Sequence, residues 1–187
     1  MDIKKRRVWI PYILLLIGML VLFLITAWPK DAQPKPADMS GYTKLQVKHK
    51  FLSSDMKQVL DMFHKQETAI VYIGFIECAW CQDAVPVLNQ AAQELNSNVY
   101  YVEARKADQV LITEEQRLEF YKLAEEHLDK DENGQPALFT PYVFKIKNGK
   151  ITASHISTIQ GHKAKERALS EEESSELLKI YKDVLSS

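Results

Sequence analysis

Cysteine is scarce in this chain of 187 residues, which has only Cys78 and Cys81. Two cysteines close at most one bridge, so a fold held by a disulfide framework is excluded and a hydrophobic core must do the work. A structural zinc site is disfavoured too. It needs four ligands, usually as two pairs, and no second C-x-x-C or H-x₃₋₅-H is present. The histidines, at 49, 64, 127, 155 and 162, are scattered, so no metal is expected. Charge of one sign is also missing: 24 Lys and Arg against 25 Asp and Glu leave a formal net charge of −1. With no face that clusters Lys, Arg and aromatics, nothing points to nucleic acid. No internal repeat is visible. With 46% hydrophobic residues the chain can bury one ordinary domain with something to spare.

What is present begins with a long apolar run. "KKRR" at 4–7 precedes "VWIPYILLLIGMLVLFLITAW", uncharged from Val8 to Trp28. As a helix it would be about 30 Å long, the thickness of a bilayer's hydrocarbon core. The apolar region of a cleaved signal peptide is usually about 7–15 residues, and "LITAW" is a poor small-x-small cleavage site. No cysteine lies nearby for lipid attachment. Trp9, Tyr12 and Trp28 fall near the two ends, where amphipathic rings favour the interface. The expectation is a cytoplasmic basic tail (1–7), one transmembrane helix (8–28) and everything beyond Trp28 outside the cell membrane. A cleaved secretory signal is the alternative. "PKDAQPKPADMSG" (29–41), with prolines at 29, 34 and 36, reads as an extended spacer.

Residues 42–187 carry globular patterning. "TKLQVKH" (43–49) alternates like an edge strand, and Met56, Val59, Leu60 and Phe63 form the stripe of an amphipathic helix. Ile70–Ile76 is a continuous apolar run suited to a strand buried on both faces. Ala84, Leu88, Ala91, Ala92 and Leu95 mark a second helix, and "NVYYVEA" (98–104) another buried strand. Thr113 with Gln116 is a capping box for a helix through Tyr121, Ala124 and Leu128. "DKDENGQPALF" breaks the pattern. Asn148-Gly149 joins strands 142–146 and 151–159 as a hairpin, and Ser170 with Glu173 caps a last helix. The order β-α-β-α-β-α-β-β-α implies an α/β fold, a mixed central sheet covered by helices.

"YIGFIECAWCQDAVPVL" (72–88) places Cys78 where a strand ends and a helix begins, with Cys81 one turn on. Free N–H groups and the positive end of the helix stabilise a thiolate there. Cys78 is thus the candidate nucleophile. Cys81 is the candidate resolving thiol, which closes the disulfide after a mixed disulfide has formed. The chemistry needs no cofactor. A static disulfide remains an alternative, although a loop this short constrains the unfolded chain little.

In this region the chain resembles the thioredoxin superfamily, over about Leu45 to Leu185. The resemblance rests on the C-x-x-C, on Pro86 in the following helix, on "TPYVFKIKNGK" (140–150) and on Gly161 after the last strand. It implies a thioredoxin-like fold and a cis bond before Pro141, where the unaided default is trans. It also implies that Thr140 can pair with an extended substrate peptide. Trp80, beside the pair, is expected to be partly exposed and to help bind substrate. Glu77 and Ala79-Trp80 depart from the family's motif. Tyr72 stands where thioredoxins bury an acid that accepts the second cysteine's proton, so Tyr72 and Glu77 are candidate tuning residues. Glu77 is otherwise a solvated loop carboxylate. The anchor and "GFIECAWC" look most like the bacteriocin transport accessory proteins of Gram-positive bacteria. That likeness implies a membrane-anchored thiol–disulfide oxidoreductase acting on exported proteins or peptides with thiols or disulfides. An export machine or a membrane redox partner is the further partner implied, and the rival is a redox-silent thioredoxin-fold accessory module of an export machine.

Overall fold

An apolar hexapeptide, Ala69–Gly74, forms the central strand and is buried at all six positions. It is β2 of a sheet whose other strands are β1 (Phe51–Ser54), β3 (Val99–Glu103), β8 (Tyr142–Lys147) and β9 (Lys150–Ile156). The spatial order is β1-β3-β2-β8-β9. The first three run parallel, β8 is antiparallel to β2, and β9 is antiparallel to β8. Four helices pack on this sheet: α1 (Met56–His64), α2 (Ala79–Glu94), α3 (Glu114–Ala124) and α4 (Glu171–Ser186). Side chains of a strand alternate between faces. Ile70 and Tyr72 accordingly meet α2 and α4, whereas Ala69, Val71 and Ile73 meet α1 and α3.

This computed structural model describes residues 15–17, 19, 34–45 and 48–187, in two units, 1–33 and 34–187. In the first unit, residues 15–17 and 19 are helical and exposed. The basic tail, the rest of the anchor expected at 8–28 and the start of the spacer lie outside the described residues. Among the described residues no helix is long and apolar enough to cross a membrane.

Local signals explain most of the second unit. Reciprocal capping boxes open α1 (Asp55 with Gln58), α3 (Thr113 with Gln116) and α4 (Ser170 with Glu173). Each satisfies two otherwise orphaned N–H groups and contributes on the order of 1 kcal/mol. The β8–β9 turn puts Asn148 and Gly149 at φ 53° and 71°, the pair of left-handed conformations its twist requires. A Cβ on Gly149 would also come within 2.8 Å of the Phe63 carbonyl.

Three expectations are corrected. Residues 43–45 and 48–49 of the strand expected at 43–49 are not extended strand, and the first strand among the described residues is β1. Residues 42–45 form turns, with Tyr42 N–H donating to Met39 O (3.0 Å) and Leu45 N–H to Tyr42 O (2.9 Å), and Tyr42 is buried. The spacer ends earlier than 41. Ser53 N–H donates to Lys35 O (2.7 Å) and Ala37 N–H to Phe51 O (3.1 Å), which lays 35–37 along β1, while Ala37 and Met39 are buried. Helix α3 stops at Ala124, and a single 3₁₀ turn over Glu125–His127 leads to Leu128, which is extended. The segment that breaks the pattern contains a small hairpin of β6 (Asp129–Lys130) and β7 (Pro136–Ala137). Asp131 organises its turn by accepting from Asn133 N–H and Gln135 N–H. A second hairpin, β4 (Arg105–Lys106) with β5 (Gln109–Val110), follows β3.

Candidate active site

Strand β2 ends at Gly74, and a short loop turns the chain into α2, with Cys78 N–H donating to Phe75 O (3.2 Å). Gln82 holds this loop by donating to Ile76 O (2.7 Å) and Gly41 O (3.0 Å). Cys78 is itself the N-cap of α2, an unusual residue for that post. Its backbone is extended, and its sulfur accepts from the Cys81 N–H at 3.2 Å. A sulfur at a helix N-cap faces unpaired N–H groups and the positive end of the helix dipole, and both favour the thiolate. Pro86 lies inside the same helix.

The start of β8 closes the site from the other side. The Thr140–Pro141 bond is cis. The Thr140 hydroxyl donates to Cys78 Sγ at 3.8 Å, and the Thr140 carbonyl also lies 3.8 Å from that sulfur. Cys78, Cys81, Thr140 and Pro141 therefore converge although Cys78 and Thr140 lie 62 positions apart in the chain.

The two thiols are both free and chemically unlike. Cys78 retains 8% exposure and Cys81 has none. The Cys81 thiol donates to Cys78 and lowers its pKa from 9.0 to about 7; the Cys81 N–H, the Thr140 hydroxyl and the Trp80 backbone act in the same direction, against the opposing effect of burial. Cys81 is pushed up strongly, first by burial and then by the neighbouring Cys78 sulfur, with the nearby Tyr72 hydroxyl opposing both. At neutral pH Cys78 is therefore the readier thiolate of the two, and Cys81 holds its proton.

Trp80 is half-buried, and its Nε1–H donates to His162 O at 3.2 Å. The exposed Glu77 accepts from Ala107 N–H (3.2 Å), pinning the β4–β5 hairpin beside the motif loop. The Arg105 guanidinium lies 5.8 Å above the Phe75 ring on the same side. Tyr72 is fully buried beneath the pair, stacked on Tyr101 at 5.6 Å between centroids.

Several residues at the site escape a reading of the sequence. Asp83 is buried on α2, with Lys44 Nζ at 2.6 Å and His162 Nε2 at 3.4 Å. His162 in turn pairs through Nδ1 with Thr158 Oγ1 (2.9 Å) and through Nε2 with Arg167 O (3.1 Å). This network fastens the loop after β9 to α2 one turn beyond the thiols. A histidine whose partner lies far away in the chain gives no local signal. Gly74 is the other omission. A Cβ there would sit 2.2 Å from Tyr72 Oη and 3.2 Å from Cys81 Sγ, so only glycine fits. Its signal was a glycine ending a buried strand just before a cysteine pair.

No family model matches the chain, and no curated protein matches it. Solved structures similar to it include mitochondrial thioredoxin 3 from Saccharomyces cerevisiae in its oxidized form, at 11% identity and a TM-score of 0.36, covering 63% of this chain and 87% of that one. Oxidised thioredoxin from Plasmodium falciparum gives 14% identity and a TM-score of 0.36, covering 72% and 98%. Thioredoxin O2 from Arabidopsis thaliana in its oxidized state gives 11% and 0.35, covering 63% and 88%. All three are thioredoxins.

Proposed function

We propose that this chain is a thiol–disulfide oxidoreductase of the thioredoxin superfamily, working on exported proteins or peptides from a membrane anchor at residues 8–28. The observation that carries the reading is the inequality of the two sulfurs. A static clip has no use for one thiol with its pKa lowered to about 7 at a helix start and another held protonated one turn deeper. Exchange chemistry needs both. The Cys78 thiolate attacks a substrate disulfide and expels one substrate thiolate, leaving a mixed disulfide. Cys81 then loses its proton and attacks Cys78 Sγ, the second substrate thiolate departs, and the pair is left oxidised while the substrate is reduced. Run in reverse, the same steps oxidise a dithiol. Thr140, whose carbonyl faces the attacking sulfur, offers its backbone to an incoming extended chain. Trp80, half-buried beside the sulfurs, forms the neighbouring wall. Support of bacteriocin export, through an export machine or a membrane redox partner, is the finer reading that the motif and anchor suggest.

The test removes one thiol at a time from the full-length chain in cells. Cys81→Ala should accumulate proteins joined through Cys78 that dithiothreitol releases, and Cys78→Ala should trap far fewer. Equal trapping by both, or none by either, overturns the assignment. If the Cys78→Ser, Cys81→Ser double variant keeps full biological activity, the domain is a holding module instead. Protease added to wall-less cells should digest the domain, and complete protection would reverse the orientation.

A further inference from the structure

Cys81 sits in a pocket of phenols. Tyr72 reaches it from β2, Tyr101 from β3, Tyr42 from the 38–45 segment and Tyr181 from α4, all in one buried cluster with both cysteines. Two of the four hydroxyls satisfy each other, Tyr42 Oη and Tyr101 Oη at 3.2 Å. Tyr72 Oη and Tyr181 Oη are buried and have no hydrogen-bond partner among the described residues. A buried hydroxyl without a partner carries a real free-energy cost, and most proteins avoid it. Of the two, Tyr72 Oη is placed beside a reacting atom. The space over Gly74 that excludes a Cβ is bounded by Tyr72 Oη and Cys81 Sγ together.

We propose that the Tyr72 hydroxyl is the donor that stabilises the Cys81 thiolate during resolution of the mixed disulfide. This deepens the oxidoreductase reading and rests on it. In the dithiol, Tyr72 Oη is buried and makes no hydrogen bond among the described residues. Once Cys78 Sγ is bonded to a substrate sulfur, the Cys81 proton has no thiolate to face. Cys81 releases that proton to solvent, and its sulfur gains a full charge in a site without water-exposed surface. Tyr72 Oη–H then turns onto it and keeps its own proton. The Cys81 electron pair forms the bond to Cys78 Sγ, and the Cys78–substrate bond breaks with its pair leaving on the substrate thiolate. Tyr72 thus acts as a neutral donor, not as a base. Burial raises the pKa of all four phenols, so they stay neutral at the pH where exchange runs. Other titratable groups near this helix turn are Asp83 with Lys44 and His162, and Glu77 and Glu103, which act on Tyr101.

A hydrogen bond to a charged group shifts an equilibrium by roughly ten- to a hundredfold. Losing it would cut the Cys81 thiolate fraction by that factor. The more basic thiolate would be a better nucleophile, with a Brønsted slope of about 0.4–0.5, and this returns nearly half of the loss on a logarithmic scale. The net expectation for Tyr72→Phe is resolution slowed about three- to tenfold at neutral pH.

The test mixes the reduced full-length chain with dithiobis(nitrobenzoate) and follows the coloured thiolate in a stopped-flow instrument. The first release reports attack by Cys78, and the second reports resolution by Cys81. Tyr72→Phe should leave the first phase unchanged, slow the second three- to tenfold, and move the second phase's pH profile to higher pH by roughly one unit or more. Tyr181→Phe, which deletes the other unpartnered hydroxyl, should leave both phases unchanged. Unfolding of Tyr72→Phe should require as much denaturant as the parent, because the lost hydroxyl had no partner. A second phase with the parent's rate and pH profile overturns the proposal. So does an equal slowing of both phases, or an equal effect of Tyr181→Phe. If the parent chain shows no second release, the oxidoreductase reading itself fails, a distinct outcome.

Discussion

The two faces of the sheet solve the same burial problem in different ways. Against α1 and α3 the core is built on Phe63, Phe120 and Phe144, with ring centroids 5.5–6.3 Å apart, and the one tyrosine among its fully buried residues, Tyr142, places its hydroxyl on His127 O at 3.0 Å. Against α2 and α4 the buried rings are Phe51 and four tyrosines, and two of the tyrosine hydroxyls have no hydrogen-bond partner among the described residues. The first face is a stability element with no loose polar ends. The second gives up some of that stability, and it is the face that carries the sulfurs. Polar groups left incomplete in the resting state are available when charge appears.

The comparison is broken most severely by emptying the first face. Phe120→Ala should cost about 3–5 kcal/mol of unfolding free energy in urea titration, while the folded variant's Cys78 alkylates at the parent's rate. An altered rate would mean that the faces are not independent. Crowding the second face comes next. Gly74→Ala forces a methyl against Tyr72 Oη and Cys81 Sγ and should cost about 1–3 kcal/mol. Adding Tyr72→Phe should recover part of that, as a non-additive double-mutant cycle. A fully additive cycle would contradict the close approach.

Smaller effects concern the exposed sulfur. Iodoacetamide alkylation of Cys78 should titrate with a midpoint near 7, and Thr140→Ala should raise that midpoint by a fraction of a unit through loss of the hydroxyl donor. The sign for stability follows from the lowered value. A thiol with a folded-state pKa of about 7 and an unfolded one of 9.0 stabilises the reduced chain fully above the unfolded value. That contribution is lost as pH falls through about 7. Denaturant midpoints of the reduced chain should therefore rise between those pH values, and should rise less for Cys78→Ser. The smallest change is expected from Tyr181→Phe, neutral or slightly stabilising by up to about 1 kcal/mol.

The elements that sequence alone made legible are those with local causes. The capping boxes at Thr113 and Ser170, the Asn148-Gly149 turn and the apolar run before Cys78 each specify their structure within a few residues. The motif's neighbourhood was legible too, since Cys78 and Cys81 share one turn and Thr140-Pro141 could be assigned through resemblance. Strand β1 was missed because only Phe51 of its four residues is fully buried, too little for alternation to register against the better pattern at 43–49. The Asp83–His162 contact and the Tyr72–Gly74–Cys81 packing depend on tertiary approach, which periodicity does not encode.

The segment laid along β1 has a consequence for crowded surroundings. A sheet with an open margin invites further strands, from its own kind as readily as from a neighbour. Here the margin beyond β1 is occupied by 35–37, and at its centre stands Pro36, bridged to Leu52, a residue with no N–H to offer outward. Growth of the sheet on that side is blocked at the point where it would begin. Another extended chain that meets this domain is thereby refused at that border of the sheet.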